Sequence, residues 1–277
     1  MRRKARRTKS RHFRAGHLSA HGQENGTDSG AGEPATITEE ISGLGGKFGT
    51  IYETGHWGKN AEGEGTSGGG SLPEQTVGYR AFLIQFIKDH QITSVVDAAC
   101  GDWLFSRLIP WADLHVDYTG IDVVKDVVRK NQQRYGSDSI RFHVGSLTEP
   151  LPSADLLIAK DVLQHLSNRL VHKFIRTNLF PERVRGGQAP GYKYALITDD
   201  HCTSHTSECH ENADIENGHW RPFSLQSEPF TVKSARTVFL FDVYVPDLVK
   251  ATDLVDFTQP PAKDSGSRGE TYVGVMQ

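Results

Sequence analysis

Asp97 and Asp122 are the residues whose setting first suggests chemistry. Each closes a short apolar run, Val95-Val96 before the first and Tyr118 to Ile121 before the second. Between them lie a turn of small residues, Ala98-Ala99-Cys100-Gly101, and a segment from Trp103 onward that reads as helical. A ligand can come close to the backbone only where side chains are small. An acid ending the second strand can accept two hydrogen bonds from ribose hydroxyls. Asp122 follows Gly101 by 21 residues, close to the spacing that a strand–turn–helix–strand nucleoside pocket needs. The G-x-G-x-x-G pattern is absent, so nothing seats a pyrophosphate, and a nicotinamide-dependent oxidoreductase is disfavoured.

The elements that would hold these acids follow from hydrophobic periodicity. Leu72 to His90 reads as a helix, with Pro73 in its first turn and Val77, Phe82, Leu83, Phe86 and Ile87 at helical spacing. Val123 to Tyr135 is the helix after the second strand. Ile140 to Val144 and Asp155 to Ala159 are further strands, Val162 to Asn178 resumes helical spacing, and Tyr194 to Thr198 is a fifth strand ending at Asp199-Asp200. Strand propensity returns over Thr237 to Val245 and Thr271 to Met276. Strands alternating with helices predict an α/β fold with a mostly parallel sheet and an antiparallel pair near the C-terminus.

Three segments fall outside this pattern. Residues 1–40 open with RRKARRTKSRHFR and lack apolar periodicity, so they are expected to be a disordered basic arm, with 41–277 forming the folded domain. The first 35 residues carry eight Lys/Arg and three Asp/Glu, a net +5; with the whole chain at −3, the remainder stands at −8. Such an arm suits a nuclear address, an organelle presequence or a nucleic-acid contact, or is a solvated tail. The acidic body offers no electrostatic grip on a phosphate backbone. Residues 48–71 are glycine-rich without the Walker ending, yet contain Tyr52, His56 and Trp57; a lid over a pocket explains both features. Residues 201–230 are long, polar and His-rich, as a substrate loop would be.

At 277 residues the chain can bury a substantial core, and no apolar run reaches the roughly 18 residues of a membrane span. Basic residues at the start are not followed by an apolar h-region, and Cys100, Cys202 and Cys209 do not make a disulfide framework. The expectation is a soluble protein of a reducing compartment, cytoplasmic or nuclear.

The order VVDAACGDW, YTGID, DLLIAKDVLQHLS and KYALITDD resembles the class I S-adenosylmethionine-dependent methyltransferases. More narrowly, it is similar to a group with an F-x-x-x-Y-x-x-G-x-W-G lead-in, a G-C-G-D-W turn, a K-D-V-L-Q-H-L segment and a late R-P dipeptide. The counterparts here are Phe48, Tyr52, Gly55, Trp57 and Gly58; Cys100 to Trp103; Lys160 to Leu166; and Arg221-Pro222. The resemblance covers about residues 45–245. It implies a Rossmann-like sheet of seven strands, mostly parallel, with helices on both faces, and S-adenosylmethionine as cofactor. It further implies that Asp97, Ala99, Gly101 and Asp102 line the cofactor, that Asp122 binds the ribose hydroxyls, that Gly145, Ser146 and Leu147 lie beside the adenine, and that Lys160 and Asp161 face the transferring methyl group. Trp57, Val123 and Lys160 are counted among the cofactor contacts, Trp57 also at the substrate mouth. Ala99 and Trp103 replace the first and third glycines of the family's turn, and Ala99 would be strained at positive φ.

Methyl transfer from a sulfonium needs alignment above all, and a base only where the acceptor must lose a proton. Asp161, His165 and Asp199, with Asp200 beside it, are the candidate bases. Helix-surface packing would equally account for His165, as would strand-end solvation or capping for the two aspartates. Trp220 and Arg221 are placed at the substrate mouth. His201, Cys202, His205, Cys209 and His210 could bind zinc, but without a C-x-x-C knuckle a His-rich substrate loop is preferred and no metal is expected. The acceptor is expected to be a small molecule or a peptide side chain, with nucleic acid reached only through the basic arm. A non-catalytic relative of the same fold is the alternative.

Overall fold

In the computed structural model the described residues are 37–181, 191–203, 209–242 and 247–259. Among them seven strands form one sheet: β1 Ser94–Ala98, β2 Asp117–Asp122, β3 Ile140–Val144, β4 Leu156–Lys160, β5 Tyr194–Cys202, β6 Ala235–Asp242 and β7 Leu248–Asp256. Their order is β3-β2-β1-β4-β5-β7-β6. The first five pair in parallel, and β7 inserts antiparallel between β5 and β6. The predicted fold class is thus the observed one. β1 lies beside both β2 and β4, so the order reverses there, and in open α/β sheets the crevice at such a switch point is where ligands bind.

Helices α1 Ile37–Thr54, α2 Val77–Asp89, α3 Lys125–Tyr135 and α4 Asn168–Phe174, the last continued by a π turn over Ile175–Leu179, cover the sheet. Period-two alternation sends neighbouring strand residues to opposite layers. Val96, Ala98, Leu157 and Ala159 join Leu44, Phe48 and Ile51 of α1 and Leu170, Val171 and Phe174 of α4. Val95, Leu156 and Ile158 join Tyr79, Leu83 and Phe86 of α2. Both faces are therefore dry, as a parallel sheet requires.

Several expectations need correction. Residues 37–40 belong to α1, and so do the first seven residues of the segment read as a lid. Leu44, Phe48 and Ile51 supply a buried stripe there despite four glycines, and Gly45 lets the helix approach Val123, whose carbonyl oxygen lies 3.0 Å from where a Cβ would stand. No regular helix follows Trp103; the segment contains only a 3-10 turn, Ser106–Leu108. Trp103 sits at φ +59 with its indole buried against Tyr118, Tyr135 and Phe142, which breaks the helical path. β7 was not anticipated, because Lys250, Thr252 and Asp253 interrupt its apolar pattern although all three are buried. Cys202 and Cys209 form a disulfide, although the three cysteines were read as making no disulfide framework. The rest of the basic arm, Thr271 to Met276 and His205 lie outside the described residues. Among the described residues no helix is long and apolar enough to cross a membrane, and no group of three His, Cys, Asp or Glu could hold a metal.

Candidate functional site

The carboxyl ends of β1, β2 and β4 open onto a cavity. Its floor is the turn after β1. Ala99 and Cys100 both direct their N–H groups at the Ile121 carbonyl, 2.7 and 3.0 Å away, which tucks the turn against the end of β2. Gly101 then donates its N–H to Asp122 Oδ2 at 3.0 Å, and its own carbonyl accepts from Asn131 of α3 at 2.7 Å. Asp122 Oδ1 accepts from Val124 N–H at 2.9 Å. Backbone N–H groups thus engage both Asp122 oxygens, with the Val123 N–H also acting on the carboxyl. Burial pushes its pKa up, against the opposing pull of the Val124 and Gly101 N–H groups.

Asp97 is buried at the end of β1 and uses one oxygen, Oδ2, to accept from the Tyr118 hydroxyl at 2.6 Å. Burial raises its pKa to about 6; the Tyr118 hydrogen bond and the Lys160 charge pull it down, and Asp122 pushes it up. Lys160, ending β4, donates to the Gly70 carbonyl at 2.9 Å and lies over the Tyr79 and Phe105 rings at 5.5 and 5.1 Å. It also pairs with Asp161.

Residues 58–71 form a strap closing one side of the cavity. Asn60 caps its turn by accepting from the Glu62 and Glu64 N–H groups. Glu64 is fastened to α3 through Lys130 at 2.8 Å and Arg134 at 3.3 Å, and hydrogen bonds from Lys130, Arg134 and Asn60 hold its carboxyl at about 2. Ser67 accepts from Asp102 N–H at 2.9 Å, donates to Asp102 Oδ1 at 2.8 Å, and lies 2.7 Å from the Tyr52 hydroxyl. A Cβ on Gly101 would fall 2.3 Å from Ser67 Oγ, so this contact requires glycine at φ +57. Gly70 is needed likewise, since a Cβ there would lie 2.7 Å from Asp161 Oδ2.

A buried chain of charges stands beside the cavity. Asp161 pairs with both Lys160 and Lys250, and Lys250 continues to Asp200 at 2.6 Å. Asp200 Oδ2 in turn accepts from the Trp220 indole at 3.2 Å. Burial would raise the Asp161 pKa, but the two ammonium groups outweigh it and hold the carboxyl at about 2. Burial depresses Lys250, yet Asp161 and Asp200 carry it above its ordinary value. Asp161 is therefore held ionised between its two lysines.

Trp57, Asp97, Ala99, Gly101, Asp122, Val123, Ser146, Leu147, Lys160, Asp161 and His165 all line the cavity. Asp102 braces the strap instead. Ser146 spends its hydroxyl on Thr148, at 2.8 Å. Asp199 stands behind the cavity wall, accepting from Gln164 N–H at 3.2 Å, and burial raises its pKa well above the carboxylate range. Arg221 is buried and donates to the Leu166 carbonyl, and together with Trp220, which is 45% exposed, it borders a separate groove rather than the cavity. Within residues 209–230 the side chains of Asn212, Arg221, Phe223, Ser224, Leu225 and Phe230 are buried, while the rest of the segment is half-buried or exposed. Ser67, Ser71, Phe105, Thr148 and Lys250 were not singled out from the sequence. The first four enter by position in the folded chain, and Lys250 sits on the strand that its own charge concealed.

Residues 96–177 match the family model described as a methyltransferase domain. Daphnetin O-methyltransferase 1 of Secale cereale is 34% identical over 100 residues, which is 35% of this chain and 27% of that protein, so the match spans about a quarter of the relative's length. The crystal structure of Burkholderia thailandensis 1,6-didemethyltoxoflavin-N1-methyltransferase, with 1,6-didemethyltoxoflavin and S-adenosylhomocysteine bound, is similar at a TM-score of 0.52 and 15% identity, over 82% of this chain and 92% of that one. That likeness is one of fold. What is shared is the seven-stranded, mostly parallel sheet with antiparallel strands toward the C-terminus and helices against it, the methyltransferase Rossmann-like α/β fold.

Proposed function

We propose that this chain is an S-adenosylmethionine-dependent methyltransferase acting on a small-molecule acceptor. The observation that carries the reading is the pairing of two buried carboxylates, Asp97 and Asp122, with a backbone turn that a strap already covers. The residues fit the cofactor. Asp122 retains acceptor capacity for ribose hydroxyls beyond its backbone contacts, Asp97 keeps Oδ1 for an ammonium group, and Lys160 provides a cation beside Asp97 for a carboxylate. Phe48, Tyr52, Trp57 and Leu147 supply the apolar walls a nucleoside needs. When bound, the cofactor supplies an electrophilic methyl group on a sulfonium. The protein's part is to hold the partners in line and exclude water; such alignment accounts for about 7–11 kcal/mol in favourable cases. A small acceptor suits an enclosed site, and the two relatives named above act, by their names, on daphnetin and on 1,6-didemethyltoxoflavin.

Calorimetric titration with S-adenosylmethionine, beside NAD as control, tests the reading. Binding of the former alone is expected. Asp122→Ala should weaken it by roughly 1–3 kcal/mol through lost hydrogen bonds to the ribose. No binding at high micromolar concentration would refute the proposal.

A further inference from the structure

His165 lines the cavity beside Asp161 and Val162, with its ring against Trp57 at a centroid separation of 4.8 Å. Its Nδ1 lies 2.9 Å from the His219 carbonyl oxygen. A carbonyl only accepts, so Nδ1 carries a proton. Burial holds the imidazole below its ordinary pKa, against the His219 hydrogen bond and the Asp161 and Asp200 charges, and Lys250 adds to the depression. The ring is therefore neutral near pH 7 and Nε2 retains a lone pair. Of the other acids near the wall, Asp161 pairs with two lysines and Asp200 with Lys250 and Trp220, while Asp199 lies behind the wall, one oxygen accepting from the Gln164 N–H and Oδ2 buried without a partner.

The peptide that carries His165 is held on consecutive carbonyls. Arg221 N–H reaches the Gln164 carbonyl at 3.1 Å, Gly218 N–H reaches that of His165 at 2.7 Å, and Arg221 Nη1 reaches that of Leu166 at 2.5 Å. Gln164 is fixed from the other side, its N–H on Asp199 and its Oε1 accepting from Asp200 N–H at 3.0 Å. Arg221 is 2% exposed, and its Nε and Nη2 have no partner. Leaving those two nitrogens unpaired is costly; the Phe223 ring 5.5 Å from Cζ and the Asp199 charge offset part of the cost, and the hydrogen bond the side chain does make is to the Leu166 carbonyl, next to His165.

We propose that His165 Nε2 is the proton acceptor for a hydroxyl-bearing methyl acceptor, and that Arg221 is the positioning residue that seats His165 on the His219 carbonyl and so fixes this tautomer. The acceptor's O–H bond breaks, its electron pair stays on oxygen as the nucleophile, and the proton forms an N–H bond at Nε2; the imidazolium then returns the proton to solvent. An amine acceptor, which carries its own lone pair, would not need this base. The inference rests on the methyltransferase reading, but its test does not.

Long-range ¹H–¹⁵N spectra of protein labelled at histidine, with His165 assigned by His165→Gln, report which ring nitrogen carries the proton. The expected wild-type spectrum shows Nδ1 protonated and Nε2 bare across neutral pH. Arg221→Ala should give a mixture of tautomers and a pKa closer to that of free histidine. Arg221→Lys, which keeps a donor for Leu166, should restore the wild-type pattern. A wild-type ring protonated on Nε2 overturns the assignment of the base without any variant having to fold. An Arg221→Ala protein with a native amide spectrum and an unchanged tautomer overturns the positioning role. Among matched phenol and arylamine acceptors, faster turnover of the amines overturns the hydroxyl class. Failure to bind S-adenosylmethionine, measured separately, would sink the methyltransferase reading while leaving the tautomer result standing.

Discussion

Asp97 titrates where an assay can follow it. Burial holds its carboxyl at about 6, with Tyr118 and Lys160 pulling the value down and Asp122 pushing it up. An ammonium ligand engages the ionised form, so affinity for S-adenosylmethionine should track the ionised fraction. It should be level above about pH 7 and about tenfold weaker by about pH 5, a difference of about 1.4 kcal/mol. Calorimetry in buffers of different ionisation enthalpy also counts protons, and near pH 6 binding should release about half a proton. Asp97→Asn should abolish both the pH dependence and the release, and weaken binding at neutral pH by about 1.5–3 kcal/mol, the worth of a charged hydrogen bond. Tyr118→Phe deletes the 2.6 Å hydrogen bond that favours the carboxylate, so its midpoint should move above that of the wild type. A midpoint that moves down, or an Asp97→Asn protein with the wild-type pH profile, would refute the assignment. The free protein should show the linked effect in stability. The folded pKa lies above the ordinary 3.8, so the native state keeps a proton that the unfolded chain has lost. Stability from this group therefore falls as pH rises from about 4 to about 6, by roughly 3 kcal/mol, and is constant above that window.

Lys250→Met leaves Asp200 without its cation and should destabilise the fold by about 3–5 kcal/mol in urea denaturation, with partial recovery in Lys250→Met/Asp200→Asn; a double variant no better than the single one would contradict this. The depressed pKa of Asp161 gives the opposite pH sign from Asp97, its contribution being present above about pH 4 and lost as pH falls toward about 2, so acid unfolding should begin at higher pH once Lys250 is removed. Gly101→Ala would force Ser67 off Asp102, and amide hydrogen exchange at Gly65 to Ser67 should quicken while the core strands stay protected. Glu64→Gln should loosen the same strap by releasing Lys130 and Arg134, with a change in global stability too small to resolve, since the pairs are partly exposed.

The parts of the site legible in the sequence are those that depend on local order. Val95-Val96-Asp97, the small turn and Tyr118 to Asp122 state their strand and turn types within a few residues, and the spacing between them fixes the nucleoside geometry. Lys250 was not legible, because β7 is buried between β5 and β6 by non-local pairing that lets a strand carry lysine and aspartate. Ser67 gains its role only when the strap folds back onto Asp102, 35 residues away in sequence. The Cys202–Cys209 bond was hidden for a related reason: connectivity is set by where β5 ends and where the chain returns, not by the count of cysteines. Arg221 was identified as functional from a dipeptide motif, yet its side chain turns inward. Its guanidinium reaches the Leu166 carbonyl and its backbone N–H that of Gln164, contacts that only the folded chain reveals.

The two departures from the family's glycine pattern bear on how the turn is held. Ala99, Gly101 and Trp103 sit at φ +65, +57 and +59, and Asp161, at the end of β4, sits at +55. Left-handed backbone costs a residue with a Cβ about 1–2 kcal/mol, so Ala99, Trp103 and Asp161 together store several kcal/mol around one cavity. Each is restrained by a separate contact. Ala99 donates its N–H to Ile121 at 2.7 Å, Asp161 donates its N–H to Thr198 at 2.7 Å and holds two lysines, and Trp103 buries an indole among three aromatic rings. Burying a side chain of that size is worth more than the backbone penalty. Glycine is thus dispensable at Ala99 and Trp103, where a side chain has somewhere to go. It is required at Gly101, where the strap's hydroxyl fills the space that a Cβ would need.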